Sequence, residues 1–193
     1  MTKKILWFDT ETTGLDPTRH SIIEIAGIVD IDGQIKEGFC FHCKPHPEFA
    51  IDDEALKIHG YSREAMGKFS EMDTIYKKLL MTFGGHIDKF DKNDKFIVAG
   101  QNIKFDIDML SHFFMRMEDP YLGSWINFMS RIELYDITNA LRSLGFINPE
   151  SCSLGDICKY FEIDIEAHSA QSDIYATREA YYHIVNNLKW SGK

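Results

Sequence analysis

Apolar and polar positions change period along the chain, and the changes divide it into strands followed by alternating helices and strands. Residues 4–10, 21–31 and 34–43 are runs of β-branched and aromatic residues, which predicts three strands. Asp32-Gly33, between the second and third, is a hairpin turn signal. Asp30 and Asp32 belong to that turn rather than to a calcium loop, because the later ligands and the closing Glu are missing. A short helix fits 52–59 and breaks at Gly60, and a longer one fits 70–83, with Met72, Ile75, Leu79 and Leu80 near helical spacing. The charged, glycine-containing stretch 84–95 reads as a loop. Phe96-Ile97-Val98-Ala99-Gly100 is wholly apolar, the pattern of a strand covered on both faces. Asn102 is placed to cap a helix running to about 117, and a weaker strand fits 132–135. Helices at 138–144, 154–161 and 170–188 complete one α/β domain over 1–193 with a mixed sheet.

Composition narrows the class. A chain of 193 residues with 44% hydrophobic and 26% charged positions can bury a substantial core. It shows no leader pattern at its start and no apolar run near the ~20 residues a membrane helix needs, so a cytoplasmic protein is expected. The net charge of −9 argues against a protein that coats nucleic acid by broad electrostatics, and leaves local binding at a cation-loaded site open. Cys40-Phe41-His42-Cys43 invites a zinc reading, but Cys152 and Cys158 have the wrong spacing to complete it, and the segment reads better as a strand.

Charge inside an apolar strand is the first chemical signal. In Ile5-Leu6-Trp7-Phe8-Asp9-Thr10-Glu11, strand geometry sends Asp9 and Glu11 to one face, where two carboxylates repel unless a cation lies between them. A hard divalent metal is one answer and a solvated strand end is the other. A second constellation brings Asp106, in the first turn of the helix after the central strand, where crevices form in open α/β sheets. The third group is His168 and Asp173 around the start of the last helix. Each alone has an ordinary explanation as a cap or surface residue.

Taken in order, Phe8-Asp9-Thr10-Glu11-Thr12-Thr13-Gly14-Leu15, Ile58-His59-Gly60-Tyr61-Ser62, Asn102 through Phe105-Asp106, and His168 with four residues before Asp173 resemble the DEDDh exonucleases, the DnaQ-like proofreading family. One departure is Gln101, where many relatives have His before the Asn; that position is not a metal ligand in the family.

The resemblance implies an RNase H-like fold, a five-stranded mixed sheet flanked by helices. It implies two divalent metals, Mg²⁺ or Mn²⁺, held by Asp9, Glu11, Asp106 and Asp173, with His168 taking the proton from the attacking water. It also implies that Thr10, Thr12, Gly14, Leu15, His59, Asn102 and Phe105 line the pocket for the terminal nucleotide. For Leu15 and Phe105, ordinary packing is an equal reading. The expected activity is 3′-to-5′ hydrolysis of single-stranded or frayed DNA ends to nucleoside 5′-monophosphates, by a free-standing trimming enzyme or the proofreading partner of a DNA polymerase. An RNA-trimming, oligoribonuclease-like enzyme is the alternative within the same chemistry. An inactive nucleic-acid-binding module is the alternative outside it, and the complete acidic set argues against that one.

Overall fold

The structure is a computed structural model that describes residues 2–165 and 169–187. His168 and the expected end of the last helix at Leu188 lie outside the described residues. Strands β1 (Lys4–Thr12), β2 (Ile22–Ile31) and β3 (Gln34–His42) form an antiparallel meander. The β2–β3 turn uses the expected Asp32-Gly33, both at positive φ. Strands β4 (Phe96–Gly100) and β5 (Ile126–Glu133) add in parallel to β1, giving a five-stranded sheet in the order β3-β2-β1-β4-β5.

Helices follow at α1 (Asp53–His59), α2 (Arg63–Met66), α3 (Met72–Gly84), α4 (Ile103–Arg116), α5 (Leu134–Ser143), α6 (Leu154–Phe161) and α7 (Ala170–Asn187). The alternation of β1 decides which helices cover which face. Leu6 and Phe8 are buried with Leu79 and Phe83 of α3 and Leu110 and Phe114 of α4. Ile5 and Trp7 point the other way, against Ala170 and Ile174 of α7. Ala176, Ala180 and Ile184 on the outer side of α7 then pack with Leu134, Ile157 and Cys158, which holds α5 and α6 in place. Asp9 and Glu11 continue the odd-numbered side of β1, so the sequence itself delivers them to the α7 face. Among the described residues no helix is long and apolar enough to cross a membrane.

Three expectations need correction. The last strand is Ile126–Glu133 rather than 132–135, and α5 begins at Leu134 rather than 138. Pairing of β4 with β5 jumps from Ile97–Asn127 to Val98–Arg131, so Phe128, Met129 and Ser130 bulge out and break the period-2 pattern. Leu134 is fully buried among α6 and α7, which draws it into the helix. Asn102 does not cap α4 through its side chain; its backbone is left-handed, at φ 58°. The Glu133 carboxylate at the end of β5 takes that role, accepting the N–H of Asn102 at 2.6 Å and of Ile103 at 2.8 Å. The short helix α2, capped by the Ser62 hydroxyl, has no counterpart in the sequence reading.

Candidate active site

The β1–β4 pairing ends at Trp7 with Ala99, while β1 runs on to Thr12, so its last turn of carboxylates overhangs the carboxyl end of the parallel pair. That is the place where open α/β sheets form ligand crevices. From the α7 side, Asp173 lies three residues after the buried Ala170 and one before the buried Ile174, and its carboxylate meets Asp9 and Glu11 there. One oxygen from each of Asp9, Glu11 and Asp173 falls within 4.8 Å of the others.

Asp106 enters from the opposite side. It is 3% exposed, and its Oδ1 accepts the Thr10 N–H at 2.9 Å and the Thr10 hydroxyl at 2.7 Å. The Thr10 amide is therefore taken by Asp106. Asp106 stands outside the tight trio but close enough to raise the proton affinity of Asp9. Asp108, the other acid in this turn, pairs on the surface with Lys104.

The electrostatics are those of an uncompensated cluster. The Asp9 carboxyl is held well above the ordinary carboxylate range, first by burial and then by Asp106, Asp173, Glu11 and Glu24. Glu11 is pushed up to about 7, by burial and then by Asp173 and Glu24. Burial also raises Asp106, against the lowering effect of the two Thr10 hydrogen bonds. No basic side chain among the described residues pairs with Asp9 or Glu11. Clustered carboxylates with raised proton affinity and oxygen-only donors fit a hard divalent cation.

Beside the carboxylates lies a cavity of about 240 Å³, lined by Thr10, Glu11, Thr12, Gly14, Leu15, Asp52, Glu54, Ala55, Ile58, His59 and Phe105. Leu15 is 80% exposed at its edge, so it is not core packing. Six of the seven expected pocket residues meet here; Asn102 lies instead in a separate groove with Lys104, Arg131 and Glu133. The Thr12 hydroxyl donates to the Gly14 carbonyl at 2.8 Å, which stiffens the loop after β1. His59 accepts the Tyr61 N–H at Nδ1 (3.0 Å), so Nε2 carries the proton. That N–H is buried and has no partner among the described residues. Burial pushes the His59 pKa down, keeping it a neutral donor at the cavity wall.

Two positioning residues, His20 and Asp52, went unseen in the sequence. His20 Nε2 lies 3.2 Å from Asp52 Oδ2, and its Nδ1 accepts the Asp16 N–H at 3.0 Å. A Cβ at Gly14 would stand 2.5 Å from His20 Nε2 and 2.6 Å from Asp52 Oδ2, so only glycine lets this pair close over the loop. Glu24 is 1% exposed and accepts the Tyr61 hydroxyl at 2.5 Å. Gln101 donates to the Cys152 carbonyl at 2.8 Å, bracing the loop after β4. None of these has a local sequence signal, because each partner lies far along the chain or across a turn.

Strand order, mixed pairing and the placement of acids on β1, α4 and α7 define an RNase H-like fold with an acidic centre at the carboxyl end of its central strands. Comparison with known proteins agrees. The exonuclease family profile matches residues 6–181. The DNA polymerase III subunit epsilon of Rickettsia typhi is 31% identical over 181 residues, covering 90% of this chain and 70% of that protein. Exodeoxyribonuclease I of Buchnera aphidicola subsp. Schizaphis graminum is 29% identical over 90% of this chain and 38% of its own length. Among solved structures, E. coli exonuclease I in complex with a dT13 oligonucleotide superposes with a TM-score of 0.81 at 24% identity, over 94% of this chain. This chain spans 41% of that one, and the likeness is one of fold. The chain belongs to the exonuclease family.

Proposed function

We propose that the protein is a metal-dependent 3′-to-5′ exonuclease that shortens DNA from single-stranded or frayed 3′ ends and releases nucleoside 5′-monophosphates, with residues 1–193 acting as one exonuclease domain. The observation that carries this reading is the meeting of Asp9, Glu11 and Asp173 within 4.8 Å, beside a cavity of about 240 Å³. DNA as substrate is supported by relatives named as a DNA polymerase subunit and an exodeoxyribonuclease. The first of these names also supports association with a DNA polymerase; a proofreading role and a cytoplasmic location are part of the same proposal.

Asp9, Glu11 and Asp173, with Asp106 behind them, would hold Mg²⁺ or Mn²⁺, which when bound supplies Lewis-acid stabilisation of charge on the phosphate oxygens. Leu15, Ile58 and Phe105 offer the terminal base an apolar wall, a contact tolerant of base identity. His59 presents a neutral Nε2–H to a substrate oxygen. His168, five residues before Asp173 in the motif, takes the proton from the attacking water in this reading, a task suited to imidazole near neutral pH.

Matched 5′-labelled single-stranded DNA and RNA, incubated with Mg²⁺ and with chelator, test the reading. The expected result is a DNA ladder that shortens from the 3′ end and stops on chelation. Internal cuts or chelator-resistant cleavage would overturn it; faster shortening of RNA would move the substrate to the RNA-trimming alternative.

A further inference from the structure

We propose that Glu24, Cys40 and His42 form a second cation site, separate from the acidic centre and selective for a thiophilic divalent ion such as Zn²⁺. The sheet builds the site. Cys40 and His42 are two apart on β3 and so share a face, and Glu24 on β2 is the register partner of His42. Cys43, which a reading of the local sequence would group with them, is fully buried in the core instead.

The donors stand in hydrogen-bond and ion-pair contact, at separations of the length that a coordination shell also has. Cys40 Sγ lies 3.4 Å from Glu24 Oε1, and His42 Nε2 lies 3.5 Å from Glu24 Oε2. Ligand atoms on a tetrahedral zinc, bonded at about 2.0–2.3 Å, stand roughly 3.3–3.7 Å apart. The three donor atoms also lie within 4.8 Å of one another.

Two further observations point to an ion. Glu24 is 1% exposed, yet among the described residues no Lys or Arg pairs with it, and His42 is the basic group at hand. Tyr61 orients the carboxylate, its hydroxyl donating to Glu24 Oε2; the same hydroxyl lies 2.9 Å from His42 Nε2, a contact that an ion bound at that nitrogen displaces. Hydrogen-bonded partners of this kind orient metal ligands. The His42 side chain is 40% exposed, which leaves an entry path from solvent.

Donor chemistry separates this site from the first. A thiolate with an imidazole and a carboxylate selects zinc-type ions, whereas Mg²⁺ prefers an all-oxygen shell. Binding replaces the Cys40 S–H bond with an S–metal bond and releases one proton to solvent. Glu24 is also the register partner of Glu11 across β1–β2, so an ion here offsets negative charge next to the acidic centre.

Cobalt titration of the whole protein under reducing conditions tests the site without reference to nuclease activity. The expected result is a near-ultraviolet thiolate-to-cobalt charge-transfer band that saturates at one ion per chain. Zn²⁺ should compete it away and Mg²⁺ should not. The band should vanish in Cys40→Ser, persist in Asp9→Asn, and require about 10- to 100-fold more cobalt in Tyr61→Phe. Absence of the band in the wild-type protein, or its survival in Cys40→Ser, would overturn the proposal. Because the wild-type spectrum alone can refute it, a folding defect in a variant does not shield it.

Discussion

At Asp9, burial and the surrounding carboxylates favour the neutral acid, whereas binding a cation favours the anion. Asp9→Asn keeps the shape and removes the charge, so its effects on stability and activity should have opposite signs. In chelator the variant should unfold at higher temperature than the wild type, by roughly 1 kcal/mol of added stability. Its Mg²⁺-dependent turnover should fall by about 10³-fold or more, the loss expected when several kcal/mol of charge stabilisation goes. A chelated melting temperature below the wild type would count against the repulsive cluster. His168→Ala makes the complementary case: turnover should drop by about 10²- to 10⁴-fold while calorimetric Mg²⁺ affinity holds. Equal loss of affinity would make His168 a ligand instead of a proton acceptor. The acids of this centre were legible because strand period and motif order are local properties. His20 and Asp52 were not, since their value lies in closing over Gly14, which only the folded chain brings about.

The elements that carry these residues differ in how they are fixed. Strand β1 and helix α7 are set by burial on both sides, through Trp7, Ile174 and Ala180. The start of α4, which aims Asp106 at Thr10, depends on one carboxylate from β5. Glu133→Ala should strand the N–H groups of Asn102 and Ile103 and cost about 1–2 kcal/mol in chemical denaturation. Glu133→Gln should recover part of that, because the amide keeps one acceptor oxygen while losing the charge favoured at a helix N-terminus. If the two variants were equally stable to wild type, the cap would have no energetic role. The same junction shows where sequence reading failed at this scale. Asn102 has the residue type of a cap but a left-handed backbone, and β5 hides behind an exposed bulge at Phe128 and Met129, where alternation is lost. Period and composition see runs of residues; they do not see a long-range carboxylate replacing a local one.

Across the whole molecule, the acidic centre couples folding to proton and cation concentration. Raised carboxyl pKa values mean that the folded, metal-free protein binds more protons than the unfolded chain between the unfolded and folded values. For Glu11 that window runs from 4.5 to about 7. Stability changes with pH as the protons bound unfolded minus those bound folded, a negative difference here, so stability falls as pH rises through the window. Asp9 and Asp106 shift in the same direction and add to the slope. A divalent cation held by the ionised carboxylates would act with the opposite sense, stabilising the fold by RT ln(1 + c/Kd) at free-ion concentration c. Thermal melts at constant ionic strength should therefore show the chelated protein losing stability from pH 4.5 to 7, while the gap to the Mg²⁺-loaded protein widens. The Asp9→Asn variant should show a shallower slope and a smaller gap. A chelated melting temperature that stays flat or rises across the window would mean that the carboxylates are already compensated, and the need for a cation at Asp9, Glu11 and Asp173 would lose its electrostatic basis.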